Sequence, residues 1–476
     1  MKIQLIIRYF AHFALASLLL LSGEVTWANV SLPSILSDGM VLQQRQKVKL
    51  WGWADPMEKV EIKASWLEQA GAVVTGGNGR WSYYLQTPVA GGPYTIEIKG
   101  KNTIILKDVL IGEVWLCSGQ SNMDMSFAWG LNYSKEVEQS ANSKIRLLSV
   151  PKITSAHPQD DIKVKWEVAE PRNVKYFSAI GYFFAAQLQE KLGVPVGIIR
   201  SAWGGSPAET WLSTSAIAGE PDLVEASKKL PSNKYASTEV GDNFNTMIYP
   251  LRDYVIKGVL WYQGEANVGQ TSYGKLMERL IDAWRREWNT ELPFFYVQIA
   301  PWSGYGKTIN APLLREAQSK LLDIPNTAMV LTSDLVDDIS DLHPKQKKEV
   351  GLRLAEVALG KTYNISTTYQ VPDLKNADFQ KNKVIISFTG KVKGLYLRNT
   401  VRTGFYAAGA DRIFYPAQVI LNGDKLVVSC GRVPKPVAIR YNFTGDGIAN
   451  LFTKEGNPVN QFRTDNWNVS TINQIQ

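Results

Sequence analysis

From Leu110 to Thr362 short apolar runs alternate with longer amphipathic ones, and no other feature constrains the fold as tightly. Val114-Trp115-Leu116-Cys117, Val196-Gly197-Ile198-Ile199, Val255 to Trp261, Phe294 to Ile299 and Ala328 to Thr332 read as buried strands. Ser178 to Leu192, Tyr273 to Trp288, Leu313 to Leu322 and Lys345 to Leu359 carry helical spacing, with Ser178 as an expected N-cap and Gly193 as a stop. This order predicts an α/β domain, a doubly wound, mostly parallel sheet with helices on both faces.

The flanks read differently. Between Asn29 and Lys107, runs such as Val60-Glu61-Ile62-Lys63-Ala64 and Trp81-Ser82-Tyr83-Tyr84-Leu85 alternate with period two around Gly-rich turns, which predicts a small β-sandwich. From Tyr369 onward, Lys383 to Phe388 and Lys425 to Ser429 alternate again. The expected division is a leader over 1–28, a β-sandwich domain over 29–108, the α/β domain over 109–365 and a β-rich domain over 366–476. The leader has Lys2 and Arg8, then an apolar stretch from Phe10 to Leu21, then Thr26-Trp27-Ala28, the pattern of an export signal cleaved before Asn29. A periplasmic or secreted protein is expected, free of the membrane once cleaved.

At 476 residues, 45% hydrophobic and 20% charged, the chain has a globular composition and can bury a core without disulfides. Cys117 and Cys430 are too few for a disulfide framework or a zinc finger and are expected free and buried. The net charge of +8 is dispersed, so no nucleic-acid partner is expected.

In an open α/β sheet, functional groups gather at the carboxyl ends of strands. Here those ends are Ser118-Gly119-Gln120-Ser121-Asn122-Met123, Trp203-Gly204-Gly205-Ser206, Gln263-Gly264-Glu265-Ala266-Asn267 and Asp334 to His343. Ser121 follows a glycine-bearing turn, but a serine hydroxyl is a weak nucleophile without a base. Of the three histidines, His12 lies in the leader and His157 in a polar loop segment, which leaves His343. The acid that would orient it stays open among Asp341, Asp338, Asp337 and Asp334. The N–H groups of Ser121 and of Gly204 or Gly205, with the Gln263 amide, are candidate oxyanion donors. Together these make an inventory for acyl transfer. Glu265 has no evident facing carboxylate, which argues against a glycosidase. No histidine cluster suits a metal, and no cofactor is expected.

These ordered blocks resemble the sialate O-acetylesterase family of the SGNH (GDSL-like) hydrolases. The matching stretches are Ser37 to Gln43, Gly112-Glu113-Val114-Trp115 leading to Gly119-Gln120-Ser121-Asn122-Met123, Trp203-Gly204-Gly205-Ser206-Pro207, Trp261 to Asn267, Asp341-Leu342-His343-Pro344, and Phe462-Arg463-Thr464-Asp465. The resemblance implies an SGNH-type α/β/α hydrolase domain between β-rich flanks. It implies Ser121 as nucleophile, His343 as base, and an oxyanion hole of Ser121, Gly204 or Gly205, and Gln263. The wider superfamily places an Asp three residues before the histidine. Ser340 stands there, and Asp341 one residue later, so a Ser–His dyad and a triad are both open. The implied activity is removal of O-acetyl groups from sialic acid through an acyl-enzyme. The alternatives are an acetylxylan-type esterase and, in another class, a glycan-binding protein with an idle esterase domain. The implied partner is an acetylated carbohydrate. Candidate substrate contacts are Trp203, Trp261, Glu265, Asn267 and Arg315, with Trp211, Trp302 and Tyr262 as further rings for stacking and Arg463 as a second cation for a sialate carboxylate.

The leader yields a direct expectation. N-terminal sequencing of the protein from its native host should read from Asn29 or a residue beside it, and a chain beginning at Met1 would overturn the export reading.

Overall fold

The β-branched and aromatic runs of the α/β region form seven strands of a central sheet. They are β1 (Thr103–Gly119), β2 (Asn142–Ser149), β3 (Trp166–Ala169), β4 (Val196–Ala202), β5 (Gly258–Tyr262), β6 (Phe294–Val297) and β7 (Thr327–Val330). In the computed structural model, which describes residues 29–365, 367, 369–390, 392–399 and 403–470, their order is β7-β6-β5-β1-β4-β2-β3. The leader reading over 1–28 lies outside the described residues. All neighbours are parallel except β2 and β3, where β3 forms an antiparallel edge. Pairing of Ser201 with Ser118 and of Trp261 with Ser118 brings the carboxyl ends of β4, β1 and β5 to one level.

Five helices matter for the site: α1 (Ser121–Asp124), α2 (Ala179–Leu192), α3 (Tyr273–Glu287), α4 (Asn310–Lys320) and α5 (Lys347–Thr362). As expected, Ser178 caps α2, its Oγ accepting from Gly181 N at 3.0 Å, and Gly193 ends it in the left-handed region. α5 begins at Lys347 rather than beside Pro344. One face of the sheet packs Trp115, Phe184 and Phe295 against α2 and α5. On the other, Trp261 meets Trp211, Trp284 and Phe294 edge-on or tilted. Each such ring contributes about 0.5–1.5 kcal/mol beyond its buried area. The sheet is thus covered on both sides, as doubly wound order requires. Among the described residues, no helix is long and apolar enough to cross a membrane.

The chain divides into two compact units. Within the described residues the smaller comprises 29–32, 51–83 and 96–105. In it Lys59–Ala64 pairs antiparallel with Gly71–Val74 and with 96–99, burying Val60, Ile62, Ile96 and Ile98. The larger unit holds 33–50, 84–95 and the described residues from 106 onward. Residues 33–50 join the larger unit because Val41–Gln43 adds a parallel strand beside Leu110 to Gly112. The C-terminal strands also belong to it. There two four-stranded antiparallel sheets, one with Lys383–Phe388 and Lys425–Ser429 at its centre and one with Phe405–Ala408 and Ala438–Tyr441, share a core of Val384, Ile386, Leu426, Val428, Tyr441 and Phe462. Cys117 and Cys430 are free and buried, as expected, and burial pushes the Cys117 thiol up to about 12.

The C-terminal strands carry one costly charge pair. Arg440 (0% exposed) meets Asp465 (2%) through two hydrogen bonds of 2.9 and 2.6 Å. Arg440→Met should leave that carboxylate buried without its cation and cost roughly 3–5 kcal/mol, read as a lowered midpoint in chemical denaturation of the full chain.

Candidate active site

β1 ends in a turn that only glycine fits. Gly119 has φ of +128°, and a Cβ there would lie 2.2 Å from Tyr262 O. Gln120 N donates to Tyr262 O at 2.9 Å, and Trp203 N donates to Gly119 O at 3.0 Å. The ends of β5, β1 and β4 are therefore laced together, and Ser121 opens α1 in the crevice where strand order reverses. Buried Asp124, at the end of α1, is anchored by Lys152 Nζ at 2.5 Å.

The loop after β7 brings His343 to this point. Its Nε2 lies 2.9 Å from Ser121 Oγ, across 222 positions of sequence. With its proton on Nδ1, the ring accepts the serine proton at Nε2. Burial pushes the imidazole below its ordinary range, the Lys347 ammonium pushes it further, and Asp341 partly opposes them. His343 is thus held mostly neutral at a pH where an ordinary histidine is half protonated.

Among the described residues, the N–H groups of Ser121 and Gly204 have no hydrogen-bond partner. A Cβ on Gly204 would sit 3.3 Å from Ser121 Cβ, so that backbone runs directly against the serine. Gly205 turns through φ of +80°, and its carbonyl accepts from Asn233. Gln263 is fully buried. Its Nε2 donates to Asn267 Oδ1 at 2.6 Å and Ser206 O at 3.4 Å, and its Oε1 accepts from Tyr273. Its amide is already satisfied inside the protein.

Of the acids left open, Asp341 is the one beside the ring. Its Oδ1 accepts the backbone N–H of His343 at 2.8 Å and stands 3.7 Å from Nδ1, outside hydrogen-bond range. Asp338 caps Ser340, Asp337 accepts from Lys345 N, and Asp334 is held bidentate by Arg353 at 2.7 Å.

Several expected sugar contacts lie out of reach of solvent. Trp211 (0%), Trp261 (1%) and Tyr262 (1%) are core residues, so no sugar ring reaches them. Asn267 is buried between Gln263, Ala208, Glu209 and Gln270. Arg315 is 1% exposed, and its Nη2 donates to Thr444 O and Gly445 O, so it braces backbone instead of facing a carboxylate. Arg463 pairs with Glu316 at 2.8 Å. Trp203 and Trp302 are partly exposed, their indole N–H groups donating to Tyr235 O and Ser340 O. Glu265 accepts from Asn122 at 2.6 Å. Three residues at the site were not singled out from sequence: Asn122, Lys347 and Trp129. Trp129 is 47% exposed, with its ring 6.2 Å from that of His343 and edge-on to it. Its place soon after the serine block, in Phe127-Ala128-Trp129-Gly130, was the available signal.

The geometry sets the pH dependence. Since His343 must be neutral to act, kcat/KM should fall on the acid side along one titration centred below about 6.5. His343→Ala should lose several orders of magnitude in kcat. Asp341→Asn should lose far less, because its oxygen is too distant to hold the ring by a hydrogen bond. His157→Ala, on an exposed loop, should change neither rate nor profile. Equal losses for Asp341→Asn and His343→Ala in folded protein would show a full triad.

Comparison with known proteins places this geometry in a lineage. Residues 111–360, more than half of the chain, match the family described as carbohydrate esterase, sialic acid-specific acetylesterase. The chain is 29% identical over 403 residues to human sialate O-acetylesterase, covering 75% of this chain and 76% of that one. It is 25% identical over 271 residues to a probable carbohydrate esterase of Arabidopsis thaliana, covering 52% of this chain and 90% of that one. A solved carbohydrate acetylesterase from Xanthomonas citri is 34% identical and superposes with a TM-score of 0.85 over 92% of this chain and 100% of that one. With that span of matched sequence and that agreement in fold, the chain belongs to the sialic acid-specific acetylesterase family of carbohydrate esterases, hydrolases of ester bonds.

Proposed function

We propose that this chain removes O-acetyl groups from sialic acid through a serine acyl-enzyme formed on Ser121. The observation that carries the reading is the 2.9 Å approach of His343 Nε2 to Ser121 Oγ, beside two unpaired backbone N–H groups. Ser121 Oγ attacks the acetyl carbonyl as its proton passes to Nε2. The N–H groups of Ser121 and Gly204 face the oxyanion, each donor of this kind contributing about 10²–10³ in rate. The imidazolium then protonates the departing sugar oxygen. Water, deprotonated by the same nitrogen, attacks the acetyl-enzyme, and acetate leaves as Ser121 recovers its proton. Every step uses groups of the chain and needs no metal.

The sialate assignment draws on the family description and on the human relative's name. With Arg315 buried, a sialate carboxylate must find its partner elsewhere on the rim. The partly exposed Trp203 and Trp302 and the exposed Trp129 are the rings offered to a sugar. The leader pattern favours action outside the cytoplasm. Acetate release from a panel that includes O-acetyl sialic acid and acetylxylan tests the proposal. Faster turnover of the sialate is expected, and preference for acetylxylan would move the chain to the plant-glycan alternative. No release from any acetylated sugar, nor from 4-nitrophenyl acetate, would favour a glycan-binding role.

A further inference from the structure

Lys347 is a buried cation bonded to the residue that follows Ser121. It opens α5, is 1% exposed, and has no carboxylate within ion-pair distance among the described residues. Removing an ammonium from water costs several kcal/mol unless something answers it, and lysine is among the residues least often buried. What answers it here is an amide and, 5.6 Å from Nζ, the face of the Tyr262 ring. Lys347 Nζ donates to Asn122 Oδ1 at 2.6 Å. An ammonium only donates, so it orients that amide, turning Asn122 Nδ2 toward Glu265 Oε1 at 2.6 Å and Leu342 O at 3.3 Å. Asn122 is fully buried and follows the nucleophile directly, while Leu342 directly precedes the base. One side chain thus ties both halves of the Ser121–His343 pair to each other and to the turn after β5. Glu265 Oε2, sealed from solvent, has no hydrogen-bond partner among the described residues.

We propose that Lys347 is a positioning residue for deacetylation: through Asn122 it holds Ser121 in register with His343, and it places a positive charge facing the imidazole. This rests on the Ser121–His343 reading. The charged groups facing the ring are Asp341 on its own loop and Lys347 on α5, while Glu265 faces Lys347 from the turn after β5. The ammonium opposes protonation of His343 and so keeps the base available at lower pH. Burial holds Lys347 itself down to about 7, against the attraction of Glu265, Asp341 and Asp337, so its charge is lost as pH rises through neutrality.

The test separates alignment from charge, with 4-nitrophenyl acetate as probe and thermal melting as the check on folding. Lys347→Met should lower kcat about tenfold or more and move the acid limb of kcat/KM up by about one unit. Lys347→Arg should keep the acid limb near its wild-type position, whatever its kcat. Asn122→Ala, which removes the amide link between the two segments, should lower kcat by a similar factor, and it serves if Lys347→Met does not fold. An unshifted limb in folded Lys347→Met, or full kcat in Asn122→Ala, would overturn the proposal. Ser121→Ala and His343→Ala run alongside: an active Ser121→Ala would sink the nucleophile assignment, a failure distinct from that of Lys347.

Discussion

The site depends on the way β1 leaves the sheet. β1 lies between β4 and β5, and the Gly119 carbonyl and Gln120 N–H are both taken by those neighbours. The chain must therefore turn within one residue, against Tyr262, to release Ser121. A side chain at position 119 would push the end of β5 away from the turn. The backbone N–H of Ser121 is left without a partner among the described residues because Ser121 opens a helix, whose first N–H groups have none within it. In the proposed mechanism, nucleophile and oxyanion donor come from the same turn.

His343 is held differently, by a loop that needs support from far along the chain. His343 lies on a segment with little regular structure, and Trp302 and Ser303 bond to it through Ser340 O and Ile339 O. Trp302 N in turn donates to Gly445 O, and Arg315 clasps the carbonyls of Thr444 and Gly445. Residues 444 and 445, between two C-terminal strands, thus buttress the loop that carries His343. A guanidinium expected as a carboxylate clamp is a strut for backbone, with Nη2 held by two carbonyls and Nε without a hydrogen-bond partner among the described residues.

The block that follows β5 shows the same division between polar type and polar role. Gln263, Asn267, Glu209 and Tyr273 bond to one another in a sealed network beneath the rim. Burial raises Glu209 above the usual carboxylate range, although Asn267 donates to it at 2.8 Å. Such a network is costly unless every member is satisfied, and once satisfied it makes the rim rigid. Beside it, Asn122 bonds to Glu265, Lys347 and the carbonyl of Leu342, and so links the segments that carry Ser121 and His343.

Much of this molecule was legible in the order of its residues. Hydrophobic period marked β1, β4 and the later strands because burial on both faces demands continuous apolar runs, and local chemistry marked Ser178 and Gly193 because a cap acts within one turn. The strands Asn142–Ser149 and Trp166–Ala169 were missed, since the first carries Lys144 and Arg146 within its run and the second is short. Ser121 and His343 could be chosen by sequence because few residues of the chain can do that chemistry and both stand at strand ends. Which polar groups face substrate and which face one another was decided only by tertiary structure. Trp261 and Trp203 each begin a polar block at a strand end, yet one is core and the other partly exposed. Asn122 and Lys347 meet across 225 positions at a distance no local pattern encodes. Spacing along a strand or helix determines which face a residue takes, whereas the partner on that face comes from another part of the chain and is set by packing.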